Sequence, residues 1–297
     1  MNDQQRFDCV IIGAGPGGLQ AAIHLGRFNR RVLLLHRPGG RTAHARHIEN
    51  FLGLKLTTGP DLIETGLSQA EHFGVVVRRE AATRIEKGGD FLVEAGAVVY
   101  HAPYVIAASG ATEPLPQIKN LGRHFARNFH TCVDCDGYRT IGKKLLLMGN
   151  SMNSVRLAFA MQRMFTRDVS LLAVDFRISE DDREILGEDG ITVYEGVPMA
   201  LHGEEQLEAV ELTDGRVISC EAVMAGFGMR LNDDYLAGLP LKRDGAGFKI
   251  LTGHNCETSE QGLYAIGTLR EGHAQAIIAA GQGAMVAIEI NQRLLQL

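Results

Sequence analysis

Gly13-Ala14-Gly15-Pro16-Gly17-Gly18, set between the apolar run 7–12 and the helix-spaced run 19–27, constrains this chain more than any other stretch. A buried strand that ends in a glycine turn and feeds a helix has few ways to fold. Gly13 permits the tight turn, Gly15 lets backbone approach a pyrophosphate, and Gly18 lets helix and strand pack closely. The start of the helix then presents its partial positive charge and free N–H groups to phosphate. A second apolar strand at 31–36 completes a strand–turn–helix–strand unit. In that context the glycine spacing reads as a dinucleotide site rather than a plain turn.

The same alternation continues. The pattern predicts a helix at 61–72, a strand at 75–79, two short strands within 90–99 around Gly96, and a strand at 104–108 that ends in Ser109-Gly110-Ala111. Pro114 and Pro116 interrupt regular structure and mark a linker. A second unit follows, with a strand at 145–148, a turn at 149–153, a helix at 154–165 and a strand at 169–174. Further strands are expected at 191–194, 207–212 and 222–225, a return linker at Asp244-Gly245-Ala246-Gly247, a strand running into a turn at 262–267, and a long apolar helix at 274–297. The expected fold class is therefore α/β, with two Rossmann-like three-layer nucleotide-binding domains, the second inserted in the first. Residues 1–115 and 246–297 would build the first domain and 116–245 the second.

Charge and apolar content narrow the function. Thirty basic against 35 acidic residues leave a net charge of −5, which argues against nucleic acid as a partner. No apolar run is long enough to span a membrane, and residues 1–8 lack a charged-then-apolar leader pattern, so the cytoplasm is expected. Five cysteines, Cys9, Cys132, Cys135, Cys220 and Cys256, do not make a secreted disulfide framework in a chain of this length. Cys9 and Cys220 lie in strand-like runs and read as buried core thiols. Cys132-Val133-Asp134-Cys135 differs: two cysteines this close can form a small disulfide ring, and Asp136 beside them can supply or accept a proton. A metal site made by His130, Cys132 and Cys135 with His254 and Cys256 is the weaker alternative, because no second Cys-x-x-Cys supports it. His44 and His47, with Arg41 and Arg46, make a basic patch that reads first as a solvated loop and second as a phosphate or acidic-protein contact.

Taken in order, Gly13 to Gly18, Gly39-Gly40 followed by Ile48-Glu49-Asn50-Phe51, Ala107-Ala108-Ser109-Gly110-Ala111, Cys132-Val133-Asp134-Cys135-Asp136-Gly137, Gly262-Leu263-Tyr264-Ala265-Ile266-Gly267, and Gln275 before Ala279-Ala280-Gly281-Gln282-Gly283 resemble the low-molecular-weight thioredoxin reductase family of flavoproteins nearly end to end. The resemblance implies FAD in the first domain, the redox cysteines in the second, and a homodimer. By position it implies that Gly13, Gly15, Pro16, Gly17 and Gly18 hold the pyrophosphate, with His36 and Arg37 following the second strand. Gly39, Gly40 and Arg41 would border the flavin and ribityl chain, and Asn50 would hydrogen-bond near the isoalloxazine. Ala82 would meet the adenine, Ser109 and Gly110 would line the cofactor, and Gly267, Thr268, Gln275 and Ala276 would stand at the ribityl and flavin end. Cys135 would face the flavin, Cys132 would attack the partner, and Asp136 would shuttle the proton.

The sequence departs from the family at several of these positions. Arg41 replaces a usual Gln, Ser109 a usual Thr, and Thr268 a usual Asp, while His36 stands where many such domains carry an acid for the ribose. In the second domain the turn is Gly149-Asn150-Ser151-Met152-Asn153-Ser154, with Ser151 at the glycine that a pyrophosphate must approach. The stretch from Asp175 to Glu184 is mostly acidic and would repel a 2′-phosphate. The chain thus resembles the pyridine-nucleotide-independent branch of the family. That branch includes enzymes served by a ferredoxin-type donor and diflavin-linked oxidoreductases with a second FAD in place of NADPH. The expected function is FAD-dependent thiol–disulfide exchange with a thioredoxin-like or small disulfide or dithiol. An oxygen-linked dithiol oxidase and a non-catalytic flavin-binding redox sensor are the alternatives.

Overall fold

The computed structural model describes residues 5–296. The reading of 1–8 and the end of the predicted helix 274–297 therefore fall partly on positions outside the described residues. The chain divides into two compact units, Met1–Thr112 with Arg230–Leu297, and Glu113–Met229.

The first unit is organised by a five-stranded sheet in the order Leu263–Ala265, Tyr104–Ala107, Cys9–Ile12, Val32–Leu35, Val76–Arg78. Every pairing in it is parallel. All residues of Cys9–Ile12 and of Val32–Leu35 are buried. A sheet covered on both faces has no wet side, so its strands read as unbroken apolar runs. The helix Pro16–Arg27 packs against the last helix, Ala276–Leu295. Glycine makes the approach close: a Cβ on Gly283 would lie 2.1 Å from the carbonyl oxygen of Gly17. Leu25, Leu34, Ile106, Tyr264, Val286 and Ile290 fill the core between these layers. The helix Gly59–His72 starts two residues before the predicted boundary, because Thr58 caps it by accepting from the Asp61 N–H. An antiparallel sheet of Ala82–Lys87, Phe91–Ala95 and Val98–Ala102 completes the unit. Its first strand escaped the sequence pattern because only Ile85 within it is buried.

The second unit repeats the plan. Its five-stranded sheet runs Thr192–Glu195, Val169–Ala173, Leu145–Gly149, Ala222–Gly226, Phe129–His130, again all parallel. The helix Met152–Met164 follows the central strand, and Glu180–Glu188 follows the next. Ser179 caps the latter by accepting from the Asp182 N–H, and the acids of its first turn suit the positive end of the helix dipole. Pro198–His202, Ala209–Leu212 and Val217–Ser219 form an antiparallel sheet where the pattern predicted one strand at 207–212.

The chain re-enters the first unit at Arg230, not at residue 246. Arg230–Leu231 pairs antiparallel with Ala111–Thr112, and the Asn232 N–H donates to the Gly110 carbonyl at 2.9 Å. Ala111–Thr112, just ahead of the linker expected at Pro114 and Pro116, is therefore a strand, and the glycine-rich stretch at 244–247 is a turn inside the first unit, closed by Gly247 N–H to Asp244 O at 2.8 Å.

Candidate active site

The candidate cofactor residues of the first unit come together because four neighbouring strands end side by side. Cys9–Ile12 runs into Gly13, Val32–Leu35 into His36, Tyr104–Ala107 through Ala108 into Ser109, and Leu263–Ala265 through Ile266 into Gly267. Cys9–Ile12 pairs with the strand that follows it on one side and with Tyr104–Ala107 on the other. It is therefore the switch point of the sheet, where α/β folds bind ligands beyond the carboxyl ends of the strands.

The glycines of the turn divide the work as their spacing predicts. An added Cβ on Gly13, whose φ is +111°, would lie 2.4 Å from the Ala108 carbonyl oxygen, and one on Gly18 would lie 1.9 Å from the Gly13 oxygen. These two hold strand, turn and helix together. A Cβ on Gly15 would meet nothing within 4 Å. Gly15 is the N-cap of Pro16–Arg27 and has no side-chain partner for the free N–H groups behind it, so the open space is a cradle for an anion.

His36 is buried, and its Nε2 has no hydrogen-bond partner among the described residues. Burial, followed by the charge of Arg79, holds its imidazole below the usual histidine range, so it is neutral at pH 7. A neutral imidazole with an unpaired nitrogen can bond a ribose hydroxyl in place of the missing acid. Asn50 Nδ2 donates to Gln275 Oε1 at 3.2 Å, and Gln275 caps the last helix ahead of Ala276. The Gly267 N–H donates to Gln282 Oε1 at 2.7 Å, which fixes the turn that carries Thr268. Arg37, Gly39 and Gly40 are exposed, Arg41 is half-buried, and Ala82 opens the strand Ala82–Lys87. The residues present thus fit FAD: an open glycine cradle, an unpaired buried imidazole, and polar groups gathered at one end of the sheet.

Two features escaped the sequence. The Ser109 hydroxyl donates to the Asn232 carbonyl at 2.7 Å, so the Tyr235 phenol, 2.9 Å away and held protonated by burial, donates to it. Its side chain is turned into the protein, and only Ser109 backbone is left to line a cofactor, with Gly110. Lys249 Nζ donates to the Thr268 carbonyl, and burial followed by the charge of Arg41 pulls its ammonium below the usual lysine range. Lys249 therefore belongs with Arg41 and Thr268, a placement that nothing in its local sequence signals.

In the second unit Cys132 and Cys135 are joined as a disulfide, with Cα atoms 5.3 Å apart. Cys132 caps the one-turn helix Val133–Asp136, and the Asp136 N–H donates to the Cys132 carbonyl at 3.0 Å. The Asp136 carboxylate lies between Arg139 and His130, with Oδ1 3.6 Å from Arg139 Nε and Oδ2 3.7 Å from His130 Nδ1. Cys9, Cys220 and Cys256 are buried thiols. Burial raises all three, Cys220 to about 12. Cys256 Sγ accepts from Arg270 Nη1 at 3.2 Å. Among the described residues no group of three or more His, Cys, Asp or Glu side chains is placed to hold a metal ion.

The degenerate turn after Leu145–Gly149 is packed shut. Ser154 stands at the position of Gly18 in the first unit, and an added Cβ on Gly149 would lie 2.3 Å from the Ser154 Cβ. The Ser154 hydroxyl donates to the Ser151 carbonyl at 2.5 Å. Ser151, in turn, carries a side chain where Gly15 leaves open space. Asp175 follows the next strand at a φ of +51°.

Residues 7–283 match the pyridine nucleotide-disulphide oxidoreductase family. The thioredoxin reductase of Bacillus subtilis is 28% identical, over 98% of this chain and 96% of its own length. The NADPH-dependent thioredoxin reductase 3 of Arabidopsis thaliana is 27% identical over 96% of this chain and 58% of its own. The crystal structure of thioredoxin reductase from Streptococcus pyogenes superposes with a TM-score of 0.88 at 25% identity, covering 99% of each chain. Among the described residues no helix is long and apolar enough to cross a membrane. The chain belongs to the pyridine nucleotide-disulphide oxidoreductase family and is an enzyme of its thioredoxin reductase-like group, the flavin disulfide oxidoreductases.

Proposed function

We propose that this chain exchanges electron pairs between FAD held by the first unit, the Cys132–Cys135 couple, and an external disulfide or dithiol that is thioredoxin-like or small, without NADPH as its ordinary reductant. The observation that carries the last clause is the Ser154 side chain, packed against Gly149 and bonded to the Ser151 carbonyl. A pyrophosphate needs bare backbone and free N–H groups at such a turn. Asp175 and the acids of Glu180–Glu188 add repulsion toward a 2′-phosphate. The same crowding opposes a second FAD bound as a dinucleotide, so one flavin per chain is expected.

FAD, when bound, supplies a two-electron donor and acceptor. The chain does the rest. Gly13 to Gly18 and the start of Pro16–Arg27 hold the pyrophosphate, His36 bonds the ribose, and Asn50, Gln275, Thr268 and Lys249 surround the ribityl and flavin end. Cys132 exchanges with the external partner and Cys135 exchanges electrons with the flavin, while Asp136 gives or takes the proton that thiolate chemistry requires. A homodimer is part of the reading. Ile277, Ile278, Met285, Ile288 and Leu295 form an exposed apolar face on the last helix, and a second copy would cover it.

Stopped-flow mixing of the flavin-loaded protein with NADPH tests the reading. No fast loss of flavin absorbance is expected, whereas an excess of dithiol should bleach the flavin in the wild type and not in Cys132→Ser or Cys135→Ser. Rapid bleaching by NADPH would overturn the reductant assignment, and dithiol bleaching that survives both substitutions would remove the cysteines from the reaction.

A further inference from the structure

His130 stands on the two-residue strand Phe129–His130, in register with Met224 of Ala222–Gly226. Its imidazole has no exposed surface, and among the described residues neither ring nitrogen has a hydrogen-bond partner. Folded proteins pair nearly all their buried polar groups, and the exceptions call for a reason, often a catalytic one. The reason here faces the ring: Asp136 Oδ2 is 3.7 Å from His130 Nδ1, a few tenths of an ångström beyond a hydrogen bond. Asp136 follows Cys135 directly and is bonded through its N–H to the Cys132 carbonyl, so its backbone is tied to the disulfide ring. A small rotation of the Asp136 carboxylate would bring it within hydrogen-bond reach of His130 Nδ1.

We propose that His130 is a positioning residue and proton reserve for the Cys132–Cys135 couple, acting through Asp136. The proposal rests on the reading of that couple as redox-active. The groups that face the imidazole are Asp136 and, across the same carboxylate, Arg139; Met224 on the adjoining strand carries no charge. Arg139 stands on the Oδ1 side of the Asp136 carboxylate and His130 on the Oδ2 side, so the imidazole is the neighbour with a ring nitrogen that can exchange a proton with that oxygen.

With an external dithiol as reductant the step balances. One thiolate of the dithiol attacks Cys132 Sγ, the Cys132–Cys135 bond breaks, a mixed disulfide forms, and Cys135 leaves as a thiolate. His130 gives a proton to the Asp136 carboxylate, which passes it to Cys135 and is a carboxylate again. The second external thiol gives its proton back to His130 through Asp136 and attacks the external sulfur of the mixed disulfide. Cys132 is released as a thiolate and takes a proton from water. Two electrons have moved to the protein, and the external dithiol leaves as a disulfide.

The test is the rate at which dithiothreitol reduces Cys132–Cys135 in the flavin-loaded full chain between about pH 5.5 and 8.5, where an imidazole titrates. Acid quench, alkylation and mass spectrometry report the rate. His130→Gln is expected to slow reduction by about 10-fold or more and to flatten the pH profile. In an Asp136→Asn background the same substitution should change the rate by less than about 2-fold, because residues that act in series do not add. Wild-type rates in His130→Gln, or effects that multiply in the double variant, overturn the proposal. Should His130→Gln fail to fold, the ¹⁵N shifts of the wild-type His130 ring decide: they should change on reduction of the disulfide, and identical shifts in both states refute it. A wild-type disulfide that dithiothreitol does not reduce overturns the parent reading, and this one with it; reduction at a normal rate without His130 sinks this proposal alone.

Discussion

Asn50 and Gln275, 225 positions apart in sequence, meet side chain to side chain, with Asn50 Nδ2 donating to Gln275 Oε1 at 3.2 Å. The bond ties the loop after Gly39-Gly40 to the N-cap of Ala276–Leu295 and brings together two polar groups assigned to the flavin end. Asn50→Ala should leave the fold intact, since the pair is exposed, and weaken FAD retention by about 5- to 10-fold, the worth of one hydrogen bond. Flavin titration of the apoprotein measures it.

Gly15→Ala and Gly18→Ala should separate cofactor binding from folding. At Gly15 a methyl group meets nothing within 4 Å among the described residues and the backbone is extended at φ −76°, so apoprotein stability should fall by no more than about 1 kcal/mol while flavin content collapses. At Gly18 the methyl group would collide with the Gly13 carbonyl, and the apoprotein should lose about 3 kcal/mol or more. Chemical denaturation and flavin absorbance read the two effects independently.

Native-state alkylation should find two reactive thiols after mild reduction, Cys132 and Cys135. Burial raises Cys9, Cys220 and Cys256, so at pH 8 they stay protonated as well as covered. Adducts on any of these three in folded protein, seen by peptide mass spectrometry, would contradict the assignment.

Acid should weaken the first unit through Glu257. Burial alone would raise its carboxyl, but the bonds from Arg293 at 2.6 and 2.8 Å, with the Gly262 N–H, bring it below the usual range. A depressed carboxylate stabilises the fold above its unfolded pKa, near 4.3, and the contribution fades as pH falls through the lower folded value. Glu257→Gln should cost about 2 kcal/mol at pH 7 and progressively less below about pH 4. Urea denaturation across that range checks both the size and the sign.

Ser151→Gly with Ser154→Gly should reopen the second turn, and adding Asp175→Arg should supply a charge for the 2′-phosphate. The triple variant is expected to bind NADPH about 10-fold or more tighter than the wild type, since a charge-assisted phosphate contact is worth about 1.5–3 kcal/mol. Equilibrium fluorescence titration with NADPH measures the gain, and an unchanged affinity would show that the turn is not the obstacle.

What the chain states locally, it states in the sequence. The glycine turn between two apolar strands implied a parallel sheet covered on both faces, and the second unit was legible as its copy, because strand burial and turn geometry are decided within a dozen residues. The Cys132–Cys135 ring was legible for the same reason. Boundaries were less so: Ala82–Lys87 hides a strand behind one buried residue, and the return at Arg230 depends on pairing with Ala111–Thr112, more than a hundred positions earlier. The partners of the reactive groups were decided by tertiary structure alone. Asn50 needs Gln275, Ser109 is turned away by Asn232 and Tyr235, and Lys249 reaches Thr268 because separate strands and loops end at one place. His130 lies six residues from Asp136, close enough to quote together, yet only folding empties its surroundings of other partners and leaves one carboxylate beside it. Local chemistry is written in neighbours along the chain. Desolvation and charge pairing are set by neighbours in space, and these come into being only when the sheet closes.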